Sequence, residues 1–331
     1  MRTSVIGAGA WGTALADLLA SNGHETMIWA REPDVAASIN ACHENQRFLQ
    51  GFSLAESLRA TNDLGAALTG AAFIVYATPS QHLRRVAAEG SAFVERDAVL
   101  AVATKGIERG TLALMTSVVG DEVADHAVVG VSGPSFASEV VARQPTAIVA
   151  ASADSNAALI AQDALSSKTF RVYTNDDVTG VELGGAMKNV VAVATGIVEG
   201  VGLGHNSRAA LITRGLHEMT RLGVALGARA NTFAGLAGIG DLVLTCTGSL
   251  SRNHALGLEI GRGATLEEAL AGKQTVAEGV GSTASGLALA ERCGVDMPIV
   301  QMVHRILFDG HTARKAVPEL MARELRSEQD L

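Results

Sequence analysis

The chain has 331 residues, 48% of them hydrophobic and 18% charged; it is too long for one typical domain and supplies enough apolar side chains for two cores. A net charge of −8 excludes a general nucleic-acid or anionic-membrane binder, so any cationic site must be local. Cys42, Cys246 and Cys293 have neither CxxC spacing nor an even count, and the N-terminus lacks an apolar leader, so reduced thiols and a cytoplasmic location are expected.

In chain order, Ser4 to Ile6 predicts a short strand, and GAGAWG from Gly7 to Gly12 opens a helix over Thr13 to Ser21 that Asn22 and Gly23 stop. Between a strand and a helix, GxGxxG has the form of a dinucleotide loop. Gly7 permits the tight turn, Gly9 lets a pyrophosphate approach the backbone, Gly12 lets helix pack on strand, and the helix N-terminus faces the anion, with Ala10 and Trp11 completing the loop. The next strand, Glu25 to Trp29, ends at Ala30, Arg31 and Glu32. An acid in this region suits the ribose 2′-hydroxyl of NAD and an arginine suits the 2′-phosphate of NADP. Arg31 stands nearer the strand end, so NADPH is expected to be accepted alongside NADH, with Glu32 turned away.

Buried strands follow at Ala72 to Ala77, Ala98 to Ala103 and Ala127 to Val131, each delivering a polar loop at its C-terminal end. Open parallel α/β sheets bind ligands at that edge, which directs Lys105 and the Gly133 to Ser135 loop toward the crevice of the glycine loop. Strands at Thr146 to Ala150 and Thr169 to Tyr173, with a helix over Asp154 to Leu165 between them, extend the sheet. The longest uncharged run, Leu64 to Leu83, is broken by glycines and Pro79 and predicts no membrane span.

After Asp176 and Asp177 the pattern changes to helical runs separated by glycine-rich loops: the Lys188 segment, Ser207 to Leu226, Ser251 to Gly261, Leu266 to Leu270 behind a Thr265/Glu268 capping box, Thr283 to Arg292 and Ile299 to Phe308. The expected architecture is therefore α/β: a Rossmann-type doubly wound domain over 1–177, then an all-α domain over 178–331. The last residues, Ala322 to Leu331, read as a solvated charged tail.

The conspicuous residue of the second half is Lys188, a lone cation in a run of apolar and small residues. On a helix, Gly184 and Gly185 lie one turn before it, and Val191, Ala192 and Thr195 follow on its face. A lysine in such a place either snorkels to water or is desolvated, and desolvation lowers its pKa toward the range of proton exchange near neutrality. The two glycines suggest clearance for a flat ligand. Asp241 is the expected partner, and the start of a helix at Arg252 and Asn253 is a suitable seat for a phosphate.

These motifs together resemble bacterial-type NAD(P)-dependent glycerol-3-phosphate dehydrogenases, from the first strand to about residue 310. The matching pieces are GAGAWGT from Gly7, ATKGIE from Ala103, SGPSFA from Ser132, Gly180 to Val191, NSRAALITRG from Asn206, GDLVLTCTG from Gly240, Ser251 to Asn253 and VAEG from Val276. The resemblance implies Lys188 as proton acceptor, with Lys105, Asp241 and Thr245 in the catalytic group. It implies Lys105, Gly133, Ser135, Lys188, Asn189, Asp241, Ser251, Arg252 and Asn253 around substrate. It further implies cofactor contacts from the glycine loop, Arg31, Phe48, Lys105, Ala137, Arg252, Val276 and Glu278. Phe48 stands where the family has a tyrosine, and Gln50 where it has a proline.

The implied activity interconverts dihydroxyacetone phosphate and glycerol 3-phosphate, a glycerophospholipid precursor, in a possible homodimer needing no metal, nucleic acid or membrane. A reductase of small keto acids and a dinucleotide-binding sensor are the competing readings. A phosphate seat argues against the first, and the joint presence of Lys188, Asp241 and Arg252 against the second.

Overall fold

The structure, a computed structural model, describes residues 1–272, 277–324 and 327. It forms two compact units, one of residues 1–105 and 113–178, the other of residues 106–112 and 179–331. Most of the charged tail lies outside the described residues.

The first unit runs β1 (Arg2–Ile6), α1 (Ala10–Ser21), β2 (Glu25–Trp29), α2 (Pro33–Cys42), β3 (Arg59–Thr61), α3 (Leu64–Leu68), β4 (Phe73–Tyr76), α4 (Leu83–Gly90), β5 (Val99–Val102), α5 (Met115–Glu122), β6 (Val128–Ser132), α6 (Ala137–Val141), β7 (Thr146–Ala151), α7 (Ser155–Leu165) and β8 (Phe170–Asn175). The strands make one sheet in the order β3-β2-β1-β4-β5-β6-β7-β8. Alternation sorts its side chains into two cores. Val5, Val75 and Ala101 pack with Leu15, Ile39 and Ala161 of α1, α2 and α7. Ile6, Tyr76 and Val102 pack with Leu68, Val86 and Val118 of α3, α4 and α5 on the other face. The chain reverses direction of growth between β1 and β4, which places the crevice of a doubly wound sheet beside the loop after β1.

The last two strands depart from the common direction: β8 runs parallel to β7, and both oppose the other six. β7 runs antiparallel to β6, with Val131 opposite Ala150. Helix α6 has five residues and spans only about 7.5 Å, too short to carry the chain back along a strand for a parallel crossover. The three-residue strand β3 escapes the period-2 pattern because it is too short to show it.

The second unit contains α8 (Val178–Gly200), α9 (His205–Ala225), α10 (Ala230–Phe233), a π-type turn at Leu236–Gly240, α11 (Asp241–Thr247), α12 (Arg252–Gly261), α13 (Leu266–Leu270), α14 (Glu278–Cys293), α15 (Pro298–Phe308) and α16 (Ala313–Met321). Helix α8 is long and apolar enough to cross a membrane, but its entire apolar window is buried inside the protein, so it is the core helix around which the others pack. Glycines let the backbones of α8 and α12 touch: a Cβ at Gly196 or Gly200 would strike the α12 backbone, and one at Gly257 or Gly261 the α8 backbone. That close approach fixes where α12 begins.

Candidate active site

The first unit's glycine loop, Gly7 to Gly12, is the candidate dinucleotide cradle, and its glycines divide the work. Gly7 has φ +119°, and a Cβ there would lie 2.9 Å from the Ala77 carbonyl carbon, while one at Gly12 would strike the Gly7 carbonyl. Both are packing requirements. Around Gly9, in contrast, a Cβ would meet nothing within 4 Å, so the space beside this backbone is open to a ligand. The Gly7 N–H donates to Trp29 O (3.1 Å) and Thr13 N–H to Gly9 O (2.9 Å), tying the loop to β2 and to the first turn of α1. That helix opens at Ala10, three residues before its predicted start, and Trp11 packs with Phe48 against the core. The cradle fits a dinucleotide.

At the end of β2, Arg31 is ion-paired with Glu32 at 3.1 Å, its side chain 65% exposed. Glu32 is thus drawn onto the arginine rather than turned away, because the two adjacent charges are partly exposed and attract. Phe48 is fixed without the proline of the related loops: its N–H donates to Asn45 Oδ1 (3.0 Å), and the Arg47 guanidinium lies 5.3 Å from its ring centroid. Thr104 Oγ1 donates to Thr78 O (2.7 Å), stitching the loops after β5 and β4. Next to it, Lys105 Nζ donates to Gly133 O (3.1 Å), and so does Ser135 Oγ (3.2 Å). Lys105, Gly133 and Ser135 therefore share one polar patch. Ala137 opens α6 directly after it.

In the second unit, Lys188 on α8 is ion-paired and hydrogen-bonded to Asp241, the first residue of α11. The lysine is 7% exposed and the aspartate 1%. Thr245, one turn on, donates to Asp241 O (2.6 Å) and approaches Oδ1 at 3.3 Å, which holds the carboxylate rotamer. Burial among these groups pushes the neighbouring Cys246 thiol up to about 12, so it is an un-ionised, structural thiol.

Gly184, one turn before Lys188, has a different purpose from the one the sequence suggests. A Cβ at Gly184 would strike the Ala237 carbonyl oxygen and lie 3.2 Å from its carbon. The occupant of that clearance is protein backbone. The Leu236–Gly240 turn, in which Gly238 adopts non-helical φ −97° and ψ −105°, lies against α8 there and aims Asp241 at the amine.

A second cluster surrounds the start of α12. Ser251 is its N-cap, its Oγ accepting from His254 N–H (3.2 Å). Asn253 donates to Asn189 Oδ1 (2.9 Å) and accepts from Gly279 N–H (2.9 Å), joining α8, α12 and the first turn of α14. Arg252 is exposed, and its guanidinium has no hydrogen bond or ion pair among the described residues. Glu278 opens α14, whereas Val276 lies outside the described residues. Asn45, absent from the residues singled out in sequence, emerges as fully buried and bonded to the glycine loop; nothing in its local pattern distinguishes it from exposed Gln46.

The family model described as NAD-dependent glycerol-3-phosphate dehydrogenase N-terminus matches residues 2–158, and its C-terminus counterpart matches residues 177–318. A glycerol-3-phosphate dehydrogenase [NAD(P)+] of Trichlorobacter lovleyi is 52% identical over 333 residues, covering 99% of this chain and 100% of that protein. One of Geobacter sp. (strain M21) is 50% identical over 330 residues, covering 99% and 98%. The crystal structure of a glycerol-3-phosphate dehydrogenase from Coxiella burnetii superposes with a TM-score of 0.94 at 41% identity, covering 97% of this chain and 99% of that one.

Proposed function

The chain belongs to the NAD-dependent glycerol-3-phosphate dehydrogenase family and is an NAD(P)-dependent oxidoreductase that interconverts dihydroxyacetone phosphate and glycerol 3-phosphate, and we propose that Lys188 is its general acid and base. The buried Lys188–Asp241 pair carries this reading. A bound nicotinamide supplies or accepts the hydride at C2 of the substrate. In the reducing direction Lys188 Nζ gives its proton to the C2 oxygen; in the oxidising direction it takes the proton from the C2 hydroxyl. Asp241, held by Thr245, orients the amine and keeps a compensating charge beside it in a site with little water.

Gly7, Gly9, Ala10, Trp11 and Gly12, with Phe48 and Ala137, hold the dinucleotide, and Lys105 with Gly133 and Ser135 forms the first unit's polar contribution to substrate. In the second unit the exposed Arg252 guanidinium, at the N-terminus of α12 where the helix dipole favours an anion, takes the phosphate. Ser251 and Asn189 act with Asn253, whose amide already bridges α8 and α14, mainly by fixing that helix start. Arg31 receives a 2′-phosphate on exchanging its Glu32 partner, so NADPH is used in preference to NADH. The reading includes a cytoplasmic location, supported by three free cysteines. It also includes a homodimer, supported by Leu203, Val243 and Leu250, large apolar side chains exposed on the second unit.

The test is Lys188→Ala, which should lower kcat by about 10²-fold or more while both cofactors still bind. Near-native turnover removes Lys188 from the chemistry. Titrating NADPH and NADH in turn against dihydroxyacetone phosphate, on the native enzyme and on Arg31→Ala, tests the preference: the variant should lose about tenfold in affinity for NADPH alone.

A further inference from the structure

We propose that Asn45 is a positioning residue for the cofactor: its buried amide sets the direction of the Ala8–Gly9 peptide and ties the Phe48 segment to it. The inference rests on reading Gly7 to Gly12 as the dinucleotide cradle.

Asn45 lies in the loop after α2 and is 0% exposed. Its Nδ2 donates to Ala8 O (2.9 Å) and to Thr13 Oγ1 (2.8 Å). Its Oδ1 accepts from Phe48 N–H (3.0 Å) and Arg47 N–H (3.3 Å). Both amide hydrogens and both lone pairs are then engaged, which is the full capacity of the side chain. Thr13 closes a ring by donating from Oγ1 to the same Ala8 carbonyl (3.3 Å). The oxygen of Ala8 is thus held on the protein side by two donors.

A trans peptide is planar, with its C=O and N–H pointing in opposite directions. Fixing the Ala8 carbonyl toward Asn45 and Thr13 therefore turns the Gly9 N–H the other way, on the residue whose Cβ position is open space. An N–H held in advance toward a pyrophosphate avoids an ordering penalty on binding. The same amide holds the backbone of Arg47 and Phe48, so the loop over α1 and the segment after α2 keep one spacing without the proline that related loops carry. Because the pyrophosphate is common to NADH and NADPH, Asn45 serves both equally, unlike Arg31.

The experiment is Asn45→Asp in the full chain, with dissociation constants for NADPH and NADH measured by calorimetry, Tm by calorimetric scan, and steady-state kinetics. Aspartate keeps the acceptors for Arg47 and Phe48 N–H but presents an oxygen to the Ala8 carbonyl, so the glycine-loop bonds are lost selectively. Both cofactors should bind about tenfold more weakly, with kcat at saturating cofactor and KM for dihydroxyacetone phosphate within about twofold of native. Thr13→Val, which removes one acceptor of Asn45 and one donor to Ala8 at nearly constant volume, gives the same pattern more mildly and serves if the aspartate variant does not fold. Native affinity for both cofactors in either folded variant overturns the proposal. So does a loss in which Tm, kcat and affinity fall together, since that is a packing role. Gly9→Ala separates the two levels of inference. Weak cofactor binding there beside native binding in Asn45→Asp removes only the role of Asn45; native binding in both removes the cradle assignment as well.

Discussion

Replacing Gly184 with alanine distinguishes a site built for ligand clearance from one built for backbone contact, because the two predict opposite signs. In open space, glycine to alanine inside a helix stabilises by about 1 kcal/mol through helix propensity. In this protein the new methyl would overlap the Ala237 carbonyl and sit 3.2 Å from its carbon, where neither the α8 backbone nor the Leu236–Gly240 turn is a flexible side chain able to step aside. Overpacking of that kind opposes folding by about 1–3 kcal/mol, so the net change is a destabilisation of up to about 2 kcal/mol. For a unit of this size that corresponds to a fall in Tm of roughly 2–4 °C per kcal/mol.

The catalytic consequence is separate. The displaced turn leads directly into Asp241, so the carboxylate moves off Lys188 and kcat falls by about tenfold, the equivalent of 1.4 kcal/mol in the barrier. Affinity for NADPH, which the proposed cradle assigns to the first unit's glycine loop, stays native. The assays are a thermal scan, kcat at saturating substrates across pH, and cofactor titration. A variant with a raised Tm and native kcat would refute the reasoning, since it would show the space beside Gly184 to be free.

Two further outcomes follow from the second unit. Arg252→Ala should raise KM for dihydroxyacetone phosphate by about tenfold or more while Tm holds, as expected for an exposed guanidinium that meets a phosphate; an unchanged KM and kcat sinks that role. Glu218, buried on α9, accepts from Ile299 N–H (2.8 Å) and Val300 N–H (3.3 Å) and so caps α15, and burial pushes its carboxyl up from 4.5 to about 7. The folded state therefore holds more protons than the unfolded chain between those values, and Glu218's contribution to stability is full below the lower one and is lost as pH rises through the upper, by something on the order of 3 kcal/mol. Glu218→Gln removes this titration: its Tm deficit against the native protein should narrow between about pH 5 and pH 8, and a deficit that stays constant or widens contradicts the assignment.

The local part of this molecule is legible in its amino-acid order. The alternation of apolar runs and polar loops yields a doubly wound sheet, GxGxxG between strand and helix marks the cradle, and Thr265 with Glu268 forms the predicted capping box down to the residue. These features repeat within a few residues, and short-range sterics and hydrogen bonding decide them. The helix at Asp241–Thr247 is missing from the helical runs expected in sequence because its seven residues are too few to establish a 3.6-residue period. The reversed strand β7 depends on how far α6 can reach, and so on three-dimensional length.

What the tertiary structure alone decides is the purpose of residues whose partners are distant in the chain. Gly184 is small for the sake of Ala237, 53 residues on, as Lys188 is paired with Asp241 at a separation of 53. Asn45 is an ordinary loop amide until folding brings Ala8 and Thr13 to it, 37 and 32 residues away. Composition and pattern determine which elements form and which residue types the chemistry needs. Close packing determines which backbone atoms meet, and in this protein those meetings aim the Asp241 carboxylate and set the glycine loop after β1.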